Sequence, residues 1–487
     1  MNRAQAARSA FWSAAENGGL ALVSFLSLIL YSRLLSVADF GVFSIVLSLL
    51  ELLSVVVSML FHDALVQAPE VSDLHYDSAF TVGLCASVVL LLACLLGAPA
   101  FGTLVGNPSA GQALRWAALA LPFTALTATV VARQRRELEF RPLALRSLSG
   151  RLGGAAAGIA LAGLGLGVWA LVAQYLLIAG LGTLVLWVTA RNRPRLRLAG
   201  AELVQLLRFG AFAVGALFLG FAVRRVFTLL VGARLGSEDA GYLNLSFRAV
   251  DVLWAIAATA VTQVALPILA RLQSDRERLE RAYRSALELS CLALYPCFLG
   301  IAALAPEIVE VLFGARWRVA SPYVSALAVL IWLQVPRLLG SALLSAIGRP
   351  REALLTVAVE MALVVAPMLV LSSRSLVWAM AVWLLREVLV APLLALQLRR
   401  ATGIRVRLQL RATIAPLFCS LVMAAALLAL RRVLPDSLGA TERLLVLVPT
   451  GAALFLTSAW FTNRNTLLAA FQLILSARPL PKAAASS

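Results

Sequence analysis

Residues 79–101 read AFTVGLCASVVLLLACLLGAPAF, 23 positions without a charged side chain. A helix rises about 1.5 Å per residue, so a run of this length matches the hydrocarbon core of a bilayer. Backbone groups in lipid must find partners inside their own segment, which makes the run a membrane-crossing helix. Comparable runs continue in both directions, at 11–32, 40–60, 112–132, 147–166, 168–190, 209–231 and 246–270. They resume at 285–306, 321–346, 352–371, 376–398, 412–430 and 443–461. The expected fold is an all-α integral membrane protein of about fourteen transmembrane helices.

Composition agrees. The 487 residues are 61% hydrophobic and 14% charged, where a soluble chain carries about 25% charged residues to cover a wet surface. The net charge of +18 raises nucleic-acid binding, but the arginines sit in short connections and no polar segment is long enough to form a basic face. Nucleic acid is therefore excluded as a partner. Cys85, Cys94, Cys291, Cys297 and Cys419 all lie in apolar runs and form no CxxC pair. The two histidines, His62 and His75, share one connection, so no metal site or cofactor is expected.

Arginine position sets orientation, because short cytoplasmic connections are enriched in basic residues. Arg133, Arg135, Arg136 and Arg141 follow the fourth run, and Arg191, Arg193, Arg195 and Arg197 follow the sixth. Arg271, Arg276, Arg278, Arg281 and Arg284 follow the eighth; Arg399, Arg400, Arg405, Arg407 and Arg411 follow the twelfth. All these connections fall on one side, and both termini are expected in the cytoplasm of a bacterial inner membrane. Arg3 and Arg8 precede the first run as in an uncleaved signal anchor. The connection 61–78 departs from the pattern, with Asp63, Glu70, Asp73 and Asp77 and no arginine.

The chain repeats itself. Asp39-Phe40-Gly41 returns as Asp239-Ala240-Gly241, Arg141-Pro142 as Arg349-Pro350, and Val168-Trp169-Ala170 as Val377-Trp378-Ala379, at offsets of 200, 208 and 209. Six runs per repeat is even, so both halves insert with the same orientation, as parallel transporter repeats do. The expected organisation is a six-helix bundle at 1–190, a basic cytoplasmic linker at 191–208 and a second bundle at 209–400. An additional helix pair and tail occupy 401–487. Segment 274–284 after the eighth run reads as a short surface helix, since Ser274 and Glu277 have capping-box spacing and Glu277/Arg281 and Glu280/Arg284 are spaced for ion pairs.

The stretch Arg33-Leu34-Leu35-Ser36-Val37-Ala38-Asp39-Phe40-Gly41 resembles the segment after the first helix of polysaccharide flippases. So do Leu235-Gly236-Ser237-Glu238-Asp239-Ala240-Gly241-Tyr242, Leu266-Pro267, and Glu307 to Gly314 with Trp317. With Gly348-Arg349-Pro350, the pattern is similar to the Wzx-type oligosaccharide flippases, in the superfamily that also holds MATE exporters and lipid II flippases. The resemblance covers residues 10–400 or so. It implies two six-helix bundles around a central cationic cavity, and movement of undecaprenyl-diphosphate-linked glycans to the periplasmic leaflet by alternating access. It also implies a lipid-linked oligosaccharide as substrate, and other polysaccharide-assembly membrane proteins as candidate partners. Asp39, Gly41, Asp239 and Gly241 are taken over as structural turns, the glycines allowing the backbone conformation that ends each connection.

Charges within apolar runs are costly unless they face protein or water, so they mark function. Arg224 and Arg225 lie well inside the seventh run, Arg248 and Asp251 in the eighth, and Arg337 in the tenth. Guanidinium clamps phosphate bidentately, so these four arginines are the candidate headgroup contacts. The bland alternative is helix-to-helix ion pairing, for which Arg248 with Asp251 and Arg386 with Glu387 are spaced. Arg33, Arg115, Arg146 and Arg208 read as snorkelling residues at helix ends. Glu16, Asp251 and Glu360 are candidates for coupling to an ion gradient, since a buried carboxylate suits reversible protonation. Asn17-Gly18-Gly19 either kinks the first helix or packs it closely. No phosphate loop, no paired carboxylates on a sizeable loop and no His with a nucleophile appear, so no enzyme is expected. A cation-coupled MATE-type multidrug exporter and a membrane glycan polymerase are the alternatives.

Overall fold

Apolar runs that must satisfy their own backbones fold as helices, and here they do so from end to end. The computed structural model describes residues 3–476 apart from Leu60, Pro69, Arg191, Ser274, Gly348, Arg349, 371–374 and Asp436. The first helices are α1 (Arg3–Leu34), α2 (Val37–Met59), α3 (His62–Gln67), α4 (Asp73–Leu104), α5 (Pro108–Ala117) and α6 (Ala120–Arg136). Next come α7 (Phe140–Gly163), α8 (Val168–Thr189), α9 (Gly200–Leu235), α10 (Ser237–Arg271), α11 (Arg276–Ala303) and α12 (Ala305–Phe313). The series ends with α13 (Ser321–Val329), α14 (Ile331–Ala346), α15 (Pro350–Val370), α16 (Leu376–Thr402), α17 (Val406–Val433) and α18 (Ala440–Ser476).

Among the described residues, eight helical segments are long and apolar enough to cross a bilayer, or nine if Ala315–Val329 and Ile331–Leu344, bent by 44°, form one span. The other expected spans coincide with α1, α7, α9, α10 and α15. Arg146 and Arg151 in α7, Arg224 and Arg225 in α9, and Arg248 and Asp251 in α10 interrupt their apolar character. The fourth run breaks between α5 and α6, and the ninth stops at Leu304, where Pro306 begins α12. A proline fits the first turn of a helix, where its missing N–H costs nothing.

The chain groups into two compact units, Met1–Leu245 with Val357–Val382, and Ser246–Thr356 with Trp383–Ser487. In the first unit, α7 lies against α8 through Gly150, Gly154 and Gly158. A Cβ at these positions would come within 2.8 Å of Ile178 O, 2.9 Å of Gln174 O and 3.1 Å of Ala170 O. Small residues spaced by four let backbones approach where no hydrophobic drive exists between helices. Gly19 lies similarly against Leu148, and α1 continues through it.

The paired Asp-x-Gly segments meet in this unit, and their glycines are not turns. Gly41 lies in α2 and Gly241 in α10. A Cβ on Gly41 would lie 1.5 Å from Ser237 O, and one on Gly241 2.3 Å from Val37 O. Each glycine thus faces the residue four places before the other, a reciprocal crossing in which neither tolerates a side chain. The residue that needs a left-handed backbone is Gly236, with φ of 98° between α9 and α10. Asp39 acts as a shared cap. Its carboxylate accepts from Ser36 Oγ at 2.6 Å and from Val168 N at 3.0 Å, which ties the starts of α2 and α8 together. Burial, with the Glu238 charge beside it, raises the Asp239 carboxyl above its ordinary value.

The acidic connection 61–78 finds its arginines in space. Asp73 pairs with Arg133 at 2.8 Å, Asp77 accepts from Arg195 N at 2.8 Å, and Arg136 donates to Ala68 O at 2.7 Å. The connection therefore shares one end of the unit with two of the arginine-rich connections. In the second unit, α11 begins at Arg276 and runs unbroken into the ninth apolar run, so no separate surface helix exists there. Its cap is Asp275, accepting from Arg278 N at 3.1 Å, and Arg284 pairs with Glu288. Ser274 lies outside the described residues, as do Gly348 and Arg349 of the repeated motif.

Candidate functional site

Arg225 on α9 forms an ion pair with Glu51 on α2, with 21% and 32% of the two side chains exposed. Arg151 on α7 also has Glu51 as its acidic neighbour, and its Nε is buried without a hydrogen-bond acceptor. Tyr175 on α8 lies within the field of the same carboxylate and meets Phe43 edge-on, ring centres 6.3 Å apart. Three helices thus direct polar side chains to Glu51 on α2. Alongside, Glu16 on α1 accepts from Ser147 Oγ at 2.6 Å and is the acidic neighbour of Arg146. The first unit therefore holds Arg146, Arg151 and Arg225 around two carboxylates.

Two of these arginines escaped the reading of the sequence. Arg146 is not a snorkelling end residue: α7 starts at Phe140, which carries Arg146 past the first turn, where its stem lies over Gly182. Arg151 lies within the fifth apolar run, and the rule that selected Arg225 selects it equally. Arg224 adjoins Arg225 on α9 and is half-buried. Glu360 belongs to the same unit and is 3% exposed on α15.

The second unit holds a different arrangement. Arg337 on α14 donates to both oxygens of Glu387 on α16, at 2.9 and 3.0 Å. Arg386 pairs with the same carboxylate, and its guanidinium stacks 3.9 Å from the centre of the Trp383 ring. One carboxylate thus serves two guanidiniums, including the Arg386–Glu387 pair foreseen from spacing. Arg337 also lines a cavity of about 280 Å³ between α14, α16 and α17. Arg248 and Asp251 lie three residues apart on α10, both half-buried. The candidates therefore divide, with Arg224, Arg225, Glu16 and Glu360 in the first unit and Arg248, Asp251 and Arg337 in the second.

Known proteins share this architecture. The chain is similar to the succinoglycan biosynthesis transport protein ExoT of Rhizobium meliloti (strain 1021), 27% identical over 331 residues, covering 68% of this chain and 67% of that one. It is 22% identical over 320 residues to the lipopolysaccharide biosynthesis protein WzxC of Escherichia coli (strain K12), covering 65% of each. The chain thus spans about two thirds of the length of these relatives. Among solved structures, the lipid II flippase MurJ in an inward closed conformation superposes with a TM-score of 0.76 at 13% identity, over 94% of this chain and 99% of that chain. An inward-facing MATE family multidrug resistance transporter of the MOP superfamily gives 0.58 at 17% identity, over 84% and 95%. These likenesses establish the fold, that of a multi-pass membrane transporter. Residues 30–322, more than half of the chain, match the family described as polysaccharide biosynthesis protein, and the chain belongs to that family.

Proposed function

We propose that this protein is a flippase that carries a lipid-linked oligosaccharide repeat unit across the inner membrane for surface polysaccharide assembly. The observation that carries this reading is the group of half-buried arginines in the first unit, Arg151 and Arg225, around a single carboxylate. A diphosphate must shed water to cross oil, and guanidinium replaces that water with charged, bidentate hydrogen bonds. Glu51 holds the Arg225 guanidinium in place, and the incoming diphosphate takes over from it. Arg224 extends the same positive surface along α9, and Arg248 and Arg337 supply positive charge from the second unit.

In this reading all fourteen apolar runs cross the membrane, with both termini in the cytoplasm. Residues 1–190 and 209–400 are the two six-helix bundles, and access alternates between leaflets. The substrate is an undecaprenyl-diphosphate-linked glycan, and Glu16, Asp251 or Glu360 couples its movement to an ion gradient. A polymerase or an exporter of organic cations has no use for an arginine-lined interior.

The test is surface glycan display in cells lacking the native gene. Alanine at both Arg224 and Arg225 abolishes display while the protein reaches the membrane in normal amount. Normal display in that double variant removes the arginines from the transport path.

A further inference from the structure

Apart from Arg337, the cavity between α14, α16 and α17 has a lining that the transport reading leaves unused. The first two turns of α17 turn Val406, Gln409, Leu410 and Thr413 into it, and Pro336 and Pro392 face them from α14 and α16. Most of the wall is apolar. Val388 and Leu410, which belong to it, are also 47% and 54% exposed, so the cavity opens to the surface of the unit.

Gln409 is out of place in such a wall. It is 6% exposed, and its Nε2 amide has no hydrogen-bond acceptor. Native interiors rarely keep a buried donor in that condition. Thr413, one turn further, is satisfied by Leu410 O at 2.9 Å, and Arg337 by Glu387. The amide of Gln409 is therefore an unpaired donor in the wall of an apolar slot.

Charge decides the class of ligand. From Val388 to Pro435 the chain contains no Asp or Glu. Across the α16–α17 connection, Arg399, Arg400, Arg405, Arg407 and Arg411 are all exposed and, among the described residues, have no acidic partner. Arg407 and Arg411 each follow a cavity-lining residue of α17 and lie one turn apart on its exposed face. Basic pockets between transmembrane helices bind anionic lipid head groups.

We propose that this cavity is a binding site for an anionic phospholipid of the bilayer, separate from the transported lipid. One acyl chain lies against Pro336, Pro392 and Leu394, its ester carbonyl accepts from Gln409 Nε2, and the phosphate rests on Arg407 and Arg411. The ester is the discriminating group. A phospholipid carries a carbonyl acceptor between chain and phosphate, whereas a polyprenyl diphosphate has none there.

Photolabelling of the full-length, delipidated protein in detergent tests the site. The probe is phosphatidylglycerol with a diazirine on its acyl chain. Peptide mapping is expected to find the label on segments 332–340, 388–398 and 406–413. Unlabelled phosphatidylglycerol should displace it at about tenfold lower concentration than phosphatidylcholine. Gln409→Leu should reduce labelling about fivefold, the worth of one hydrogen bond. Glutamine at both Arg407 and Arg411 should erase the preference for the anionic lipid while label still reaches the same segments. Label elsewhere, or equal displacement by both phospholipids, overturns the proposal. Undecaprenyl diphosphate displacing the label better than phosphatidylglycerol also overturns it, by giving the cavity to the transported lipid. Mapping on the unmutated protein decides the matter even where a variant fails to fold.

Discussion

Both units set a glutamate from one helix against an arginine from another, yet the two clusters are built for different ends. In the first unit, Arg225 and Glu51 keep 21% and 32% of their side chains exposed. In the second, Glu387 keeps 2%, Arg386 beside it on the same helix 6%, and Arg337 on α14 31%. Burial is what separates them. A carboxylate deep in low dielectric cannot release its guanidiniums without becoming an uncompensated ion, so Glu387 fastens α14 to α16 through Arg337. A half-exposed pair gains little from its own attraction, and in the proposed mechanism it gives up its carboxylate when a doubly charged phosphate arrives. The second cluster holds α14 to α16; the first, in the proposed mechanism, trades its carboxylate for the substrate.

Glu387 is where that contrast breaks most visibly. Glu387→Ala strands two guanidiniums, one of them almost fully buried, and should cost about 3–5 kcal/mol in thermal unfolding of the detergent-solubilised protein. A loss under ~1 kcal/mol would put it in the same class as the first cluster. Trp383→Leu comes next. It removes the ring beneath Arg386 while keeping an apolar side chain, and should cost about 2 kcal/mol with transport retained in whatever protein folds. The smallest stability effect belongs to Glu51→Gln, about 1 kcal/mol or less. It should nonetheless tighten binding of inorganic pyrophosphate, measured by calorimetry, because the competing carboxylate charge is gone. Weaker binding would mean that Glu51 orients Arg225 for its ligand instead of holding its place.

Much of this was legible in the sequence. Runs of about twenty apolar residues report helices directly, and every expected run coincides with a helix or a broken pair of helices. Charges inside the apolar runs stand out by their cost in lipid, and the structure gives Arg225 and Arg337 carboxylate partners on other helices. Three kinds of feature were not legible. Breaks such as Leu304 and the α13–α14 bend leave composition unchanged, so apolar content runs straight through them. Helix starts decide whether an arginine is terminal, and placing the start of α7 late made Arg146 look like an end residue. Partners depend on tertiary approach: nothing near Arg225 in the chain names Glu51, and nothing near Gly41 names Ser237. The offset of 200 that relates the two glycines also relates the residues they face, a symmetry visible only once the structure brings them together.

Leaflet-to-leaflet transfer of a fluorescent polyprenyl-diphosphate disaccharide in proteoliposomes tests the role of the first cluster most directly. The account predicts that Arg225→Ala lowers the initial rate at least about tenfold, the loss of one charged contact of ~1.5–3 kcal/mol, with the unfolding temperature unchanged. A rate within about twofold of the unmodified protein, in vesicles where that variant is fully inserted, would contradict it.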